Sequence, residues 1–478
     1  MEFGTKEISM IVDQVLKNLE LNNPTFSAGA TSPLSYNNEN YGVFENIEDA
    51  INAAYEAQKI YVEKYQVKDR KRLIEAIRKV MRENVETLAK MVCEESKMGR
   101  YEDKIQKHLA VIDNTPGPEC LTTEAISGDS GLMLEEYAPF GLIGAITPVT
   151  NPTETIINNT ISMLSGGNTV VFNVHPGAKK VCAFCLQLIN KTIIDNDGPA
   201  NLITMVKEPT METVNALTAS PKIRIMVGTG GMPMVNALLR SGKKTIGAGA
   251  GNPPVIVDET ADIKKAAKDI FYGASFDNNL LCLAEKEVFV IEEVANDFIY
   301  NMVEEGAFLL NTNQLEEILK LVFIFDGEYK VNKKWVGQDA GKMLDAIGIT
   351  GKSNTRLLIC DVAPNHPFVL EEQLMPVLPI VRCRNLDDAI KYALIAESGN
   401  RHTASMFSKN IDNMTRFARK IETTIFVKNG CTLKGVGIGG EGHATMTIAG
   451  PTGEGITCAK SFTRRRRCML ADGGLRVI

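Results

Sequence analysis

Apolar residues near the start of the chain recur at helical spacing. In residues 6–21, Ile8, Ile11, Val12, Val15, Leu16 and Leu19 share one face, which predicts a short amphipathic helix over residues 1–21. Residues 22–40 lose that pattern and are rich in Asn, Ser, Thr, Pro and Gly, the composition of a flexible linker. An apolar stripe on a tether suits docking to a partner, and packing back onto its own domain fits the periodicity equally well. The basic face of a membrane-surface helix is absent. From Asn46 helical stripes resume, one through Ile47, Ile51, Ala54, Ala57 and Tyr61, another through Leu73, Ile77, Val80, Met81, Leu88 and Met91.

Farther along, short continuous apolar runs alternate with helical stretches. The runs at 142–146, 169–172, 223–227, 254–257, 287–291 and 424–427 read as strands buried on both faces. Strand–helix alternation of this kind predicts an α/β fold with a largely parallel sheet. No internal repeat is present, and residues 320–342 are the least regular stretch, expected as a surface excursion.

Bulk properties narrow the class. A length of 478 residues suggests two or three domains. With 52 basic and 58 acidic residues the net charge is −6, spread along the chain, so nucleic acid is not expected as a partner. The isolated basic run at 464–467 reads as a solvated strand end or an interface patch. No apolar run approaches the roughly 20 residues that cross a bilayer, and no basic start precedes a signal-type apolar stretch, so a cytoplasmic protein is expected. Ten irregularly spaced cysteines read as reduced thiols. Cys182 and Cys185 have redox or zinc-like spacing, but they lie in an apolar helical stretch without a second pair, and read as core thiols. The five histidines show no ligand spacing, and no metal is expected.

One cysteine differs from the rest. Cys282 follows Asp277-Asn278-Asn279 in a turn-rich segment between two predicted strands. A thiolate there can attack a carbonyl and leave again from a thioester, which makes it the candidate nucleophile; a buried structural thiol is the plain alternative. Three loops accompany it. Thr147-Pro148-Val149-Thr150-Asn151-Pro152 follows the first strand, Gly228-Thr229-Gly230-Gly231 follows the third, and Gly247-Ala248-Gly249-Ala250-Gly251-Asn252-Pro253-Pro254 leads into the fourth. Glycines at strand ends let backbone N–H groups approach phosphate. None is a clean GxGxxG, so their shared position at carboxyl ends of strands is what suggests a dinucleotide crevice.

These motifs, with Glu371-Glu372-Gln373-Leu374-Met375-Pro376, Thr403-Ala404-Ser405-Met406-Phe407-Ser408-Lys409-Asn410 and Thr424-Ile425-Phe426-Val427-Lys428-Asn429, resemble the aldehyde dehydrogenase superfamily over residues 41–467. The glycine run, and the Phe276–Glu287 stretch around the cysteine, resemble its CoA-acylating branch of propanal, acetaldehyde and butanal dehydrogenases. The resemblance implies a Rossmann-like cofactor domain (41–250, with oligomerisation strands at 121–138), an α/β catalytic domain (251–445) and a C-terminal oligomerisation segment (446–478). It implies Cys282 as nucleophile and Asn151 as the oxyanion-hole amide. Thr229 matches the residue at the cofactor pyrophosphate, and Glu372 the glutamate on the nicotinamide ribose, with a solvated acidic pair with Glu371 as its alternative. Thr147, Pro148, Gly228 and Gly249 fall at positions lining the cofactor cleft.

Two departures from the hydrolytic members matter. Their water-activating glutamate is replaced at Ala248, and no carboxylate occurs from 241 to 257, which preserves a thioester for CoA. The Lys and Glu that grip the adenosine ribose are replaced by the segment beginning Asn173-Val174-His175; Asn173 is a cofactor-binding candidate there, and His175 is either a contact to adenosine or a turn residue. NAD is preferred over NADP without an acidic clamp to decide it. The resemblance thus implies oxidation of a short aliphatic aldehyde, propanal first, to acyl-CoA with NAD and coenzyme A. A homodimer or homotetramer is implied, and the N-terminal helix resembles the peptides that pack enzymes into bacterial microcompartments through a shell protein. The alternatives are an acid-forming dehydrogenase and a catalytically idle cargo protein.

Overall fold

Valine and isoleucine runs with no polar alternation can be buried only in a parallel sheet covered by helices on both faces. Two such sheets form. Residues 40–472 are described here from a computed structural model; the predicted N-terminal helix, most of the linker and residues 473–478 lie outside them. The first sheet runs Val43–Phe44, Ile203–Val206, Thr169–Asn173, Leu142–Ile146, Ile223–Thr229, Lys244–Ala248, and every pair is parallel. Chain order reverses between Leu142–Ile146 and Ile223–Thr229. A crevice therefore opens at their carboxyl ends, the usual ligand position in open α/β sheets.

The second sheet is also parallel. Its order is Phe308–Leu309, Leu358–Asp361, Val377–Cys383, Glu287–Ile291, Pro254–Val257, Thr403–Phe407, Ile425–Lys428. One face packs Val255, Val288, Ile270 and Phe298, the other Ile256, Phe289, Met406 and Phe417. The first sheet ends with Lys244–Ala248, and Pro254–Val257 is the first strand of the second in chain order. A third, antiparallel sheet joins Glu124–Gly128, Gly131–Pro139 and Thr463–Ala471. The 464–467 arginines lie in its last strand, with Arg465 and Arg467 on Glu135 at 2.7 and 3.2 Å.

Several local expectations change. The stripe from Leu73 to Met91 is two helices, Val67–Glu83 and Val85–Ser96, broken at Asn84. The glycine run does not merely lead into a strand, because its first two residues end the strand Lys244–Ala248. Residues 446–462 pack back on the first half: Met446 N–H donates to Asn158 Oδ1 (3.0 Å) and Gly247 N–H to Thr452 Oγ1 (3.1 Å). Only Thr463–Ala471 joins the third sheet. Cys182 and Cys185 are buried in the helix Lys179–Asp195. Among the described residues no helix is long and apolar enough to cross a membrane.

Candidate active site

The crevice at the switch point is a cleft of about 430 Å³, and it gathers residues from both halves. From the first half come Thr147, Pro148, Asn151, Thr229, Gly230, Gly231 and Gly249; from the second, Cys282, Glu372, Leu374 and His402. Its volume is that of a small-molecule site.

The segment before the nucleophile owes its shape to three consecutive left-handed residues, Asp277, Asn278 and Asn279 (φ 47, 54 and 62°). Asn and Asp enter that region more readily than other non-glycine residues, at a cost of order 1 kcal/mol each. Hydrogen bonds hold them there. Asp277 Oδ1 accepts from Arg100 N–H (2.9 Å), Asn278 donates to the Gly337 carbonyl (2.9 Å), and Asn279 donates to the Ala274 and Glu285 carbonyls (both 2.9 Å). The buried Lys286 ammonium closes the turn on Asn279 Oδ1 (2.6 Å) and on the Asn279 and Leu281 carbonyls (3.1 and 2.9 Å). The polar run is thus a buried scaffold rather than a solvated approach.

Cys282 itself is half-buried and lines the cleft. Burial, and then the Glu372 carboxylate, push its thiol up to about 12, against the pull of Lys286 and the N–H groups of Cys282 and Leu283. The resting thiol is therefore protonated at neutral pH. Burial likewise pushes Glu372 up to about 7, opposed by Lys286 and by the Gly251 N–H, which donates to Glu372 Oε1 at 3.3 Å. Gly251 has no room for a side chain: a Cβ would meet the Cys282 carbonyl at 2.5 Å and the His402 ring at 2.9 Å.

Asn151 caps the helix Pro152–Ser165, which is buried along its whole length. Its Oδ1 accepts from Lys107 (2.9 Å) and its Nδ2 donates one N–H to Thr150 Oγ1 (3.2 Å), so a second amide N–H remains on a residue that lines the cleft. That N–H, with the backbone N–H of Cys282, has the chemistry to hold an oxyanion.

The other expected residues divide. Thr147, Pro148, His175, Thr229, Gly249 and Glu372 line the cleft. Glu371 is exposed, so the two glutamates do not share one solvated setting. Thr229 Oγ1 is 2.8 Å from Thr447 Oγ1, and His175 Nδ1 accepts from Gly177 N–H (3.1 Å) while the ring remains at the cleft. Asn173 and Gly228 lie outside the lining. Asn173 Oδ1 accepts from Thr213 (2.5 Å), and a Cβ at Gly228 would meet Leu238 at 2.5 Å, so each is occupied by packing.

Two ionisable residues of the lining were not expected from the sequence. His402 is buried, with Nδ1 2.9 Å from Thr403 Oγ1 and Nε2 without a protein partner; burial and Lys286 push it down to about 3, so the ring is neutral. It directly precedes the Thr403 motif, a weak signal. Lys333, among the described residues the single lysine or arginine of the lining, arrives after the hairpin of Phe323–Phe325 and Tyr329–Val331. The expected surface excursion therefore reaches the cleft.

Residues 40–446 match the profile of the Aldehyde dehydrogenase family. An acetaldehyde dehydrogenase (acetylating) of Bilophila wadsworthia is 46% identical, with 99% of each chain covered. The structure of a propionaldehyde dehydrogenase from the Clostridium phytofermentans fucose utilisation bacterial microcompartment matches with a TM-score of 0.89 at 49% identity, over 91% of this chain and 99% of its own. A Rhodopseudomonas palustris propionaldehyde dehydrogenase with bound CoA and an acylated cysteine matches with a TM-score of 0.88 at 48% identity, over 90% and 98%.

Proposed function

The chain belongs to the aldehyde dehydrogenase family, and on that premise we propose that it is a CoA-acylating dehydrogenase of short aliphatic aldehydes, propanal first, using NAD. One observation carries the reading: Cys282 and the Asn151 amide line one cleft in which Ala248 stands where hydrolytic relatives place a glutamate. Among the described residues Glu372 is the single carboxylate of that lining, and its Oε1 is engaged by Gly251 N–H.

Cys282 attacks the aldehyde carbon as its thiol gives up a proton to solvent, and the oxyanion rests on Asn151 Nδ2 and the Cys282 N–H. A nicotinamide held in the cleft would supply the acceptor for the hydride of this carbon. The acyl group stays on Cys282 as a thioester until the CoA thiol displaces the cysteine. The CoA thiol gives up its proton to solvent at the cleft, because the His402 ring, pushed down to about 3, is too weak a base to take it. Overall, aldehyde, CoA and NAD⁺ give acyl-CoA, NADH and a proton, and the same groups serve the reverse reaction.

For the dinucleotide, Thr147, Pro148, Thr229, Gly249 and the glycines at 230 and 231 offer small side chains and backbone at strand ends, and Lys333 adds the positive charge a phosphate would meet. His175 and Glu372, both on the cleft lining, are assigned to the adenosine and to the nicotinamide ribose. Residues 41–250 form the cofactor half and 251–445 the catalytic half.

A homodimer or homotetramer is favoured by the third sheet, which exposes Ile126, Met469 and Leu470. The amphipathic pattern of residues 1–21 favours docking to a microcompartment shell protein. Deleting residues 1–20 then leaves turnover intact and abolishes shell association.

The decisive experiment measures NADH formation from propanal with and without CoA, and identifies the product by mass. Propionyl-CoA formed only with CoA supports the assignment; propionate formed at full rate without CoA overturns it.

A further inference from the structure

The helix Tyr101–Asn114 buries a charged face. Asp103, Lys104, Lys107 and His108 are all buried, the two lysines and the histidine without any exposure. Lys107 is the hub. Its ammonium lies 2.9 Å from Asn151 Oδ1, 2.6 Å from Asp277 Oδ2 and 3.0 Å from Glu154 Oε1. Lys104 reaches the same Asp277 oxygen at 3.1 Å. Two lysines and two carboxylates thus close a neutral buried cluster. Burial lowers the Lys107 pKa, but the Asp277 and Glu154 carboxylates outweigh it, so the group stays charged.

An ammonium has only donors, whereas an amide presents an oxygen on one side and N–H groups on the other. Facing the cation, Asn151 must offer Oδ1, and its Nδ2 then points away. The same cation holds the first residue of the left-handed run that leads to Cys282. We propose that Lys107 is a positioning residue that sets the orientation of the Asn151 amide and registers it against the nucleophile segment. The inference rests on the reading of Asn151 as the oxyanion donor. Carbonyl polarisation by the cation also strengthens the N–H as a donor. A neutral side chain at 107 leaves the amide free to turn its oxygen toward a developing oxyanion.

A double-mutant cycle tests this, with NADH formation resolved into kcat and KM and folding followed by thermal melting. Asn151→Ala is expected to lower kcat by about 10²-fold or more, as for a lost oxyanion donor. Lys107→Met should lower kcat by a comparable factor with the KM for aldehyde nearly unchanged. In the Asn151→Ala background it should cost less than about threefold more. Lys107→Gln, which keeps a donor toward Oδ1, should recover part of the loss. Lys107→Met together with Glu154→Gln removes one charge of each sign, and serves if the single variant melts early. Full activity of Asn151→Ala would remove the premise. A large Asn151→Ala loss, with Lys107→Met either harmless or multiplying that loss in full, would overturn the positioning role alone.

Discussion

The two walls of the cleft are built by opposite means. The first-half wall presents backbone and small side chains at strand ends: Thr147, Pro148, Thr229, Gly230 and Gly249. Its neighbours are packing groups, with Thr229 against Thr447 and Gly249 against Met232. The second-half wall presents Cys282, Glu372 and His402, every one with a perturbed proton affinity, and Lys286 buried behind them. A wall of backbone donors binds an anionic ligand without competing for its protons. A wall of desolvated ionisable groups is poor at simple binding, but small movements of charge change its reactivity. Asn151 belongs to the first wall by chain and to the second by work, because Lys107 ties it to Asp277.

The contrast makes kcat sensitive to the second wall and KM to the first. The largest effect is expected from Cys282→Ala, which should lower turnover by roughly 10⁴-fold or more while NAD still binds; measured acyl transfer near the parent rate would end the nucleophile assignment. Next, Gly251→Val pushes a side chain into the Cys282 carbonyl and the His402 ring. It should reduce kcat by about 10²-fold, since an ångström-scale misplacement of reacting groups has that effect. On the other wall, Gly249→Val drives a branched side chain against Met232, and should raise the KM for NAD by about tenfold with kcat within about threefold. Should kcat fall instead, the division between the walls is wrong.

A smaller effect tests the electrostatics. The Glu372 carboxylate raises the Cys282 pKa, so Glu372→Gln must move it down from about 12. Iodoacetamide labelling of Cys282 should then be faster at a given alkaline pH, with its pH profile shifted to lower values. Labelling that is unchanged or slower would show that Glu372 does not act on the thiol. The smallest catalytic effect is expected far from both walls. Cys185→Ala, in the core of the first half, should cost about 1 kcal/mol of stability, read by denaturant unfolding, and leave kcat unaltered.

Much of this was legible in the chain. Each predicted strand except 169–172, 223–227 and 424–427 has its expected bounds, and those three differ by one or two residues at an end. Strands such as Leu358–Asp361 and Val377–Cys383 went unrecognised, because Cys, Asp and Pro interrupt their apolar pattern. At the site, Cys282 stood out by its flanking Asp-Asn-Asn, and Asn151 by its place after a strand. Lys107 gave no such signal. Nothing local to the lysines at 104 and 107 says that they will be buried against Asp277, which lies 170 residues from Lys107.

The sequence by itself determined the parallel α/β character, the glycine-bearing loops at strand ends, the cysteine that stands out as candidate nucleophile and the lack of a carboxylate from 241 to 257, because these depend on local pattern and residue type. Only the tertiary structure decided that Asn173 and Gly228 serve packing, that His402 and Lys333 reach the cleft, and that a buried lysine orients Asn151. Those roles depend on desolvation and on distances between segments far apart in the chain, which no single stretch of residues contains.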